Sequence, residues 1–159
     1  NANMRRVFDT YKNERNFLIL SHTCMPETDS VPLLKEYEQK MLNGKLVKRD
    51  DGSYKIEDGT GPVSNTNWHF LTGDKAKLYR QARVGYMIDN GKPDSTQQIQ
   101  NQFIHTQFFA LVDKYRRLRG IYDGLKEEEV QKLIKDIEGL LKEKVDHTRF
   151  MTGFGNSPT

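Results

Sequence analysis

Apolar residues recur along this chain in two rhythms, and the switches between them set the predicted elements. Met4, Val7, Phe8 and Tyr11 are spaced i, i+3, i+4, i+7, which predicts an amphipathic helix already under way at the first residues. After a turn over Lys12 to Asn16, Phe17 to Leu20 form an apolar run that leads into Ser21-His22-Thr23-Cys24 and reads as a strand. Ser30 then serves as an N-cap, and Pro32 is tolerated in the first turn because its missing N–H has no intrahelical partner there. Leu34, Tyr37 and Met41 are the predicted buried face of that helix. Leu46 to Arg49 and Tyr54 to Glu57 flank Asp51-Gly52, a favoured tight-turn pair, so residues 43–66 are expected to insert a small projecting hairpin followed by loop. Two strands alone are marginal, so this arm must lean on the body or on a partner.

The second half continues in the same way. Asn67 to Leu71 is a predicted strand ended by Thr72-Gly73, and Asp74 caps a helix with Leu78 and Ala82 on one face. Tyr86 to Ile88 is expected to be extended, and a polar loop runs from Asn90 to Gln100. Next comes a β-hairpin: a strand from Gln107 to Val112, a polar tip over Asp113 to Arg116, and a strand from Leu118 to Tyr122. The unbroken apolar run of its first strand suits a strand buried on both faces in the middle of a sheet. Val130, Leu133, Ile134, Ile137 and Leu141 form a helical stripe whose intervening Glu and Lys residues have salt-bridge spacing. Residues 1–144 are therefore expected to form one domain, and 145–159 a weakly ordered tail.

Composition narrows the picture. With 159 residues the chain is one domain. Counting glycine and leaving out tyrosine, about 38% of it is apolar, against roughly 45–50% in an average globular domain. The expectation is a core lacking a part, with an upstream segment preceding Asn1, since the chain opens inside a helix. A net charge of +3 on a mixed surface is not a nucleic-acid footprint, and no apolar run approaches the roughly 20 residues of a membrane span.

The order helix, strand, helix, hairpin, strand, helix, β-hairpin, helix matches a thioredoxin-like α/β layout: a sheet flanked by helices, with an inserted β-hairpin and an N-terminally incomplete core. The succession FLILSHTCMPETDSVPLLKEYEQ, WHFLTGDKAKLYRQARVGY and FIHTQFFALVDKYRRLRGIYDG, closed by an amphipathic helix, resembles the Sco/SenC family of copper proteins. In that pattern a strand ends in a turn of the type D-P-E-R-D-T, another ends in L-T-G, and D-H-T precedes the hairpin strand.

The resemblance implies a metallochaperone rather than an enzyme, periplasmic or tethered to the inner membrane by an upstream segment. Its partner would be cytochrome c oxidase subunit II, whose binuclear copper centre it helps to assemble, or another respiratory-complex subunit. One copper ion, Cu(I) or Cu(II), would be held by two thiolates of a C-x-x-x-C motif and a histidine, whose position His105 occupies. With that pair present, thiol-disulfide reduction of the recipient is a possible accessory activity. Thiolate and imidazole ligands together suit both copper states. This sequence departs from the pattern in three ways: it holds one cysteine, Cys24; Ile104 stands where the Asp before the histidine is expected; and Thr23-Cys24-Met25 replaces the first Asp of the turn. The other reading is therefore a Sco-like interaction or structural module of a respiratory complex that does not bind copper.

Cys24 and His22, two apart on a strand, point to one face. With Met25 and His105 they are candidates for an alternative soft-metal cluster, or for a nucleophile and base. Most lone cysteines, however, are buried and inert. Asp146-His147-Thr148 spells D-H-T more fully than the stretch at His105, but no hairpin strand follows it, so His147 is read as tail. His69 beside Trp68 is read as structural. A thioredoxin or peroxiredoxin activity ranks below both readings, because no C-x-x-C is present.

Overall fold

The computed structural model describes residues 2–59, 65, 67–88 and 107–143. In order these form α1 (Ala2–Tyr11), β1 (Ile19–His22), α2 (Val31–Asn43), β2 (Lys45–Lys48), β3 (Tyr54–Glu57), β4 (Trp68–Leu71), α3 (Lys75–Arg80, running on through a π-helical turn at Gln81–Gly85), β5 (Phe108–Val112), β6 (Leu118–Asp123) and α4 (Glu127–Lys142). The predicted loop Asn90 to Gln100, His105 and the tail lie outside the described residues.

α1 is the hub of the molecule. Val7, on one side of it, packs with Tyr122 of β6 and with Val130, Leu133 and Ile137 of α4. Phe8, on its other side, joins Ile19, Met41, Leu42 and Trp68, with the Phe8 and Trp68 ring centroids 5.6 Å apart. The helical spacing predicts the α4 stripe of the first core, whereas the second core also takes Ile19 and Trp68 from strands. Polar ties then fix the angles. The Arg5 guanidinium donates to the carbonyls of Met41 (2.6 Å) and Gly44 (2.9 Å), satisfying groups left open at the end of α2. Arg6 reaches Glu127 at the start of α4.

The caps are those expected: Ser30 accepts from Leu33 N and Asp74 from Lys77 N. β2 and β3 form the predicted hairpin, with Gly52 at φ 84 in its turn. The arm leans on the body: Ile56 packs beside the Trp68 core, and Arg6 lies 4.2 Å over the Tyr54 ring. At its base, a methyl group on Gly44 would sit 2.1 Å from Ile56 Cγ2, so only glycine lets the arm close there.

The structure corrects three expectations. First, among the described residues the strands pair as three separate two-stranded ladders: β1 with β4 in parallel, β2 with β3 and β5 with β6 antiparallel. β5 is accordingly not buried on both faces. Phe109 and Leu111 face the α1–α4 core, while Val112 is 38% exposed and Ile121, on β6 opposite Ala110, is 40% exposed. Apolar content alone does not say how many faces are covered. Second, Tyr86 to Ile88 is not extended. Tyr86 N–H bonds to Gln81 O, and Met87 is left-handed at φ 53. Gly85 leaves room for the Gln81 side chain inside that wide turn. Third, Leu34 and Tyr37 of α2 are not core residues but line a cleft, together with Leu78 and Ala82 from the one face predicted for the helix after Asp74.

Candidate functional site

β1 and β4 end side by side, with His22 in register with Leu71, and the chain leaves β1 through Thr23, Cys24 and Met25. α2 and the π-turn of α3 rise on either side. Between them lies a cleft of about 620 Å³. Its floor includes Ser21, His22 and Phe70, its α2 wall Tyr37, and its other wall Tyr86.

Local chemistry holds this mouth in shape. Thr23 donates its hydroxyl to Asp29 Oδ2 and accepts from Met25 N at 3.0 Å, closing the turn after β1. Tyr79, 2% exposed, donates its hydroxyl to the Cys24 carbonyl at 2.9 Å, so α3 fixes the cysteine's backbone. Lys75 pairs with Glu27 at 2.9 Å across the same turn. The floor is fixed from behind: Trp68 is fully buried, donates Nε1–H to Ser21 Oγ at 2.9 Å and stacks on Phe70 at 5.1 Å. Phe70 in turn meets Tyr37 edge-on at 5.3 Å, and the His22 ring lies 6.0 Å from that of Tyr86.

Two predicted candidates are thus brought together, since His22 and Cys24 both line the cleft. Met25 does not line it and is 42% exposed. Burial lowers the His22 pKa, so its imidazole is neutral at neutral pH and carries a lone pair. Burial, with the nearby Asp29 carboxylate, raises the Cys24 pKa above the ordinary thiol value despite a backbone hydrogen bond and Lys75. Cys24 is therefore a thiol rather than a thiolate at neutral pH, which disfavours the nucleophile-and-base reading; a soft metal would have to displace its proton. Among the described residues, no three His, Cys, Asp or Glu side chains group closely enough to hold a metal ion. His69 stands in register with Leu20 in β4. His105 and His147 lie outside the described residues.

Sequence reasoning missed the aromatic walls. Tyr37 falls on a stripe expected to be buried and Tyr86 in a stretch expected to be extended, because periodicity marks an apolar stripe without saying whether a neighbouring element covers it.

The model of the SCO1/SenC family matches residues 2–142. Among solved structures, a SCO1/SenC family lipoprotein from Bacillus anthracis str. Ames is similar over 89% of this chain and 70% of that one, with 21% identity and a TM-score of 0.61, a likeness of fold. None of the curated proteins compared matches.

Proposed function

Because the chain belongs to the SCO1/SenC family, we propose that it carries copper for the assembly of a respiratory oxidase, passing the ion on by exchange of thiolate and imidazole ligands with the recipient. The observation that carries this reading is the family match over residues 2–142, which spans every described element. His105, which precedes β5 in the sequence, would be the imidazole ligand. The two thiolates would come from outside these 159 residues, which hold the single cysteine Cys24. The cuprous ion favours soft sulfur donors and the cupric ion accepts imidazole nitrogen, so such a donor set retains copper through a change of redox state. On this reading the protein is a carrier rather than an enzyme and works on the outer face of the inner membrane. Among the described residues no helix is long and apolar enough to cross a membrane.

A second reading, favoured by the lone cysteine, is an interaction module of a respiratory complex that does not bind copper. A Cu(I) competition titration with a chromophoric chelator separates the two. If the encoded protein carries two cysteines four positions apart ahead of Asn1, it should bind one Cu(I), and His105→Ala should weaken retention at least tenfold. Unchanged affinity in that variant would remove His105 from the site, and no Cu(I) retention by the encoded protein would leave the second reading. Cys24→Ser tests the alternative soft site and should leave the affinity unaltered.

A further inference from the structure

The tip of the β5–β6 hairpin is built around a nearly buried acid. The Asp113 side chain is 6% exposed. Its Oδ1 accepts from the backbone N–H groups of Tyr115 (2.9 Å) and Arg117 (3.0 Å), and its Oδ2 from Arg117 Nε (2.8 Å) and Arg119 Nη1 (3.1 Å). Arg119 also reaches Glu143 at 2.9 Å. The acids near the tip are therefore consumed internally. Lys114 and Arg116 are exposed and have no acidic partner among the described residues. Between the cations stands Tyr115, 48% exposed, with Lys114 Nζ 5.3 Å and the Arg117 guanidinium 5.2 Å from its ring centre.

The backbone adds an independent observation. Arg116 N–H bonds to Asp113 O and Asp113 N–H to Arg117 O, a tight turn whose last residue, Arg116, lies in the left-handed region at φ 65. That position in such a hairpin suits glycine, and a long side chain there carries strain. The sequence places a cation where the turn itself is better served by glycine. Strain kept at an exposed apex points to a task for the side chain.

We infer that this tip, through Lys114, Tyr115 and Arg116, docks the domain onto the surface of a bilayer containing anionic phospholipids. The chemistry fits on three counts. Long cationic stems can lie along apolar surface while their heads reach lipid phosphates, and a tyrosine ring is suited to the interface, apolar in body and polar at the hydroxyl. Val112 beside the tip and Ile121 farther down the hairpin, opposite Ala110, are both exposed. A convex four-residue apex supplies far less than the roughly 800 Å² per partner of a standard protein interface, and it has no groove to track a nucleic-acid backbone. A flat, dense array of phosphates needs neither. β5 spans roughly 17 Å from Phe108 to the tip, so a docked domain keeps the other end of the strand clear of the membrane. This inference does not depend on copper binding.

The test is co-sedimentation of the 159-residue chain with vesicles of phosphatidylcholine alone, or with a third of phosphatidylglycerol. Binding is expected only to the anionic vesicles. Lys114→Gln with Arg116→Gln should weaken it about 25-fold, at about fivefold per cation, while the equally charged pair Lys77→Gln with Arg80→Gln on α3 should change it less than twofold. Arg116→Gly should bind about fivefold more weakly and yet melt at a higher temperature, a combination that a purely structural arginine does not give. Tyr115→Trp should show a blue-shifted emission on anionic vesicles. Equal losses in the tip and α3 variants would overturn the proposal, as would an unshifted Tyr115→Trp emission. Binding to polyglutamate, a single-stranded oligonucleotide or soluble glycerophosphate as tight as to vesicles would also overturn it.

Discussion

Trp68 and Ser21 meet across the β1–β4 ladder, the indole N–H donating to the serine hydroxyl at 2.9 Å beneath the cleft. The indole is fully buried, so this bond is its route to satisfaction and at the same time fixes the floor on which Phe70 and His22 stand. Ser21→Ala removes the acceptor but keeps the donor buried, and should cost about 1–3 kcal/mol. Chemical denaturation followed through Trp68, the chain's one tryptophan, reads this directly. An unchanged midpoint would mean that the indole is satisfied elsewhere.

Arg6 and Glu127 form a two-pronged pair, 2.6 and 2.7 Å, that joins α1 to the first turn of α4. The bond from Arg6, helped by one from Gln131, lowers the Glu127 pKa to about 2 against an ordinary 4.5. A carboxylate depressed on folding contributes stability that is fully present above its unfolded pKa and is lost as pH falls through the folded one. The loss should therefore fall between about pH 4.5 and pH 2 and disappear in Glu127→Gln. Glu127 is 56% exposed, so solvent screening limits the pair to about 1 kcal/mol or less in a double-mutant cycle with Arg6→Ala.

Tyr122 tests the packing of the other core. Its ring is 3% exposed, and its hydroxyl donates to Asp136 Oδ2 at 2.7 Å. Burial, then this acid, push its pKa well above the ordinary value. Tyr122→Phe should cost about 1 kcal/mol. Gly120→Ala should cost more, about 1–3 kcal/mol, because the new methyl would lie 2.5 Å from that hydroxyl and force a ring held at both ends to move. If Gly120→Ala melts like the parent chain, the ring does not lie over residue 120.

The cleft makes a pH-dependent prediction. In an NMR titration His22 should have a midpoint below 6.5, since burial disfavours its charged form. By the same sign, the stability it contributes is complete above pH 6.5 and falls as the solution is acidified past that value, and His22→Gln should flatten the curve. Cys24 should react with iodoacetamide more slowly at pH 8 than a free thiol, its rate rising only at a pH above the ordinary thiol value. A midpoint at or above 6.5 for His22 would place its ring in water rather than in the cleft floor.

Some of this was written in the chain. Val7 and Phe8, three and four residues from Met4, fall on the apolar side of one helix, and Val130, Leu133 and Ile137 fall on a single stripe of another. Ser30 and Asp74 cap helices because a short oxygen-bearing side chain ahead of an apolar stripe has few better bonds to make. Asp51-Gly52 turns because glycine accepts φ 84. The succession of strand ends was enough to bring out the family resemblance. Tyr37 and Phe109 show where the signal failed: one falls on a predicted helix stripe and the other in an apolar strand run, but Tyr37 lines an open cleft and Phe109 packs on a core.

The sequence by itself therefore determined most stretches of helix and strand, Tyr86 to Ile88 excepted, and which stripe of each helix is apolar, because those depend on backbone sterics and on residues three or four apart. Only the tertiary structure decided that β1 pairs with β4 and β5 with β6 as separate ladders, that His22 and Cys24 share a cleft walled by Tyr37 and Tyr86, and that Asp113 draws in Arg117 and Arg119 while leaving Lys114 and Arg116 exposed. Those facts rest on which distant surfaces meet and on which polar groups lose their water when they do, and no local period along a chain records either.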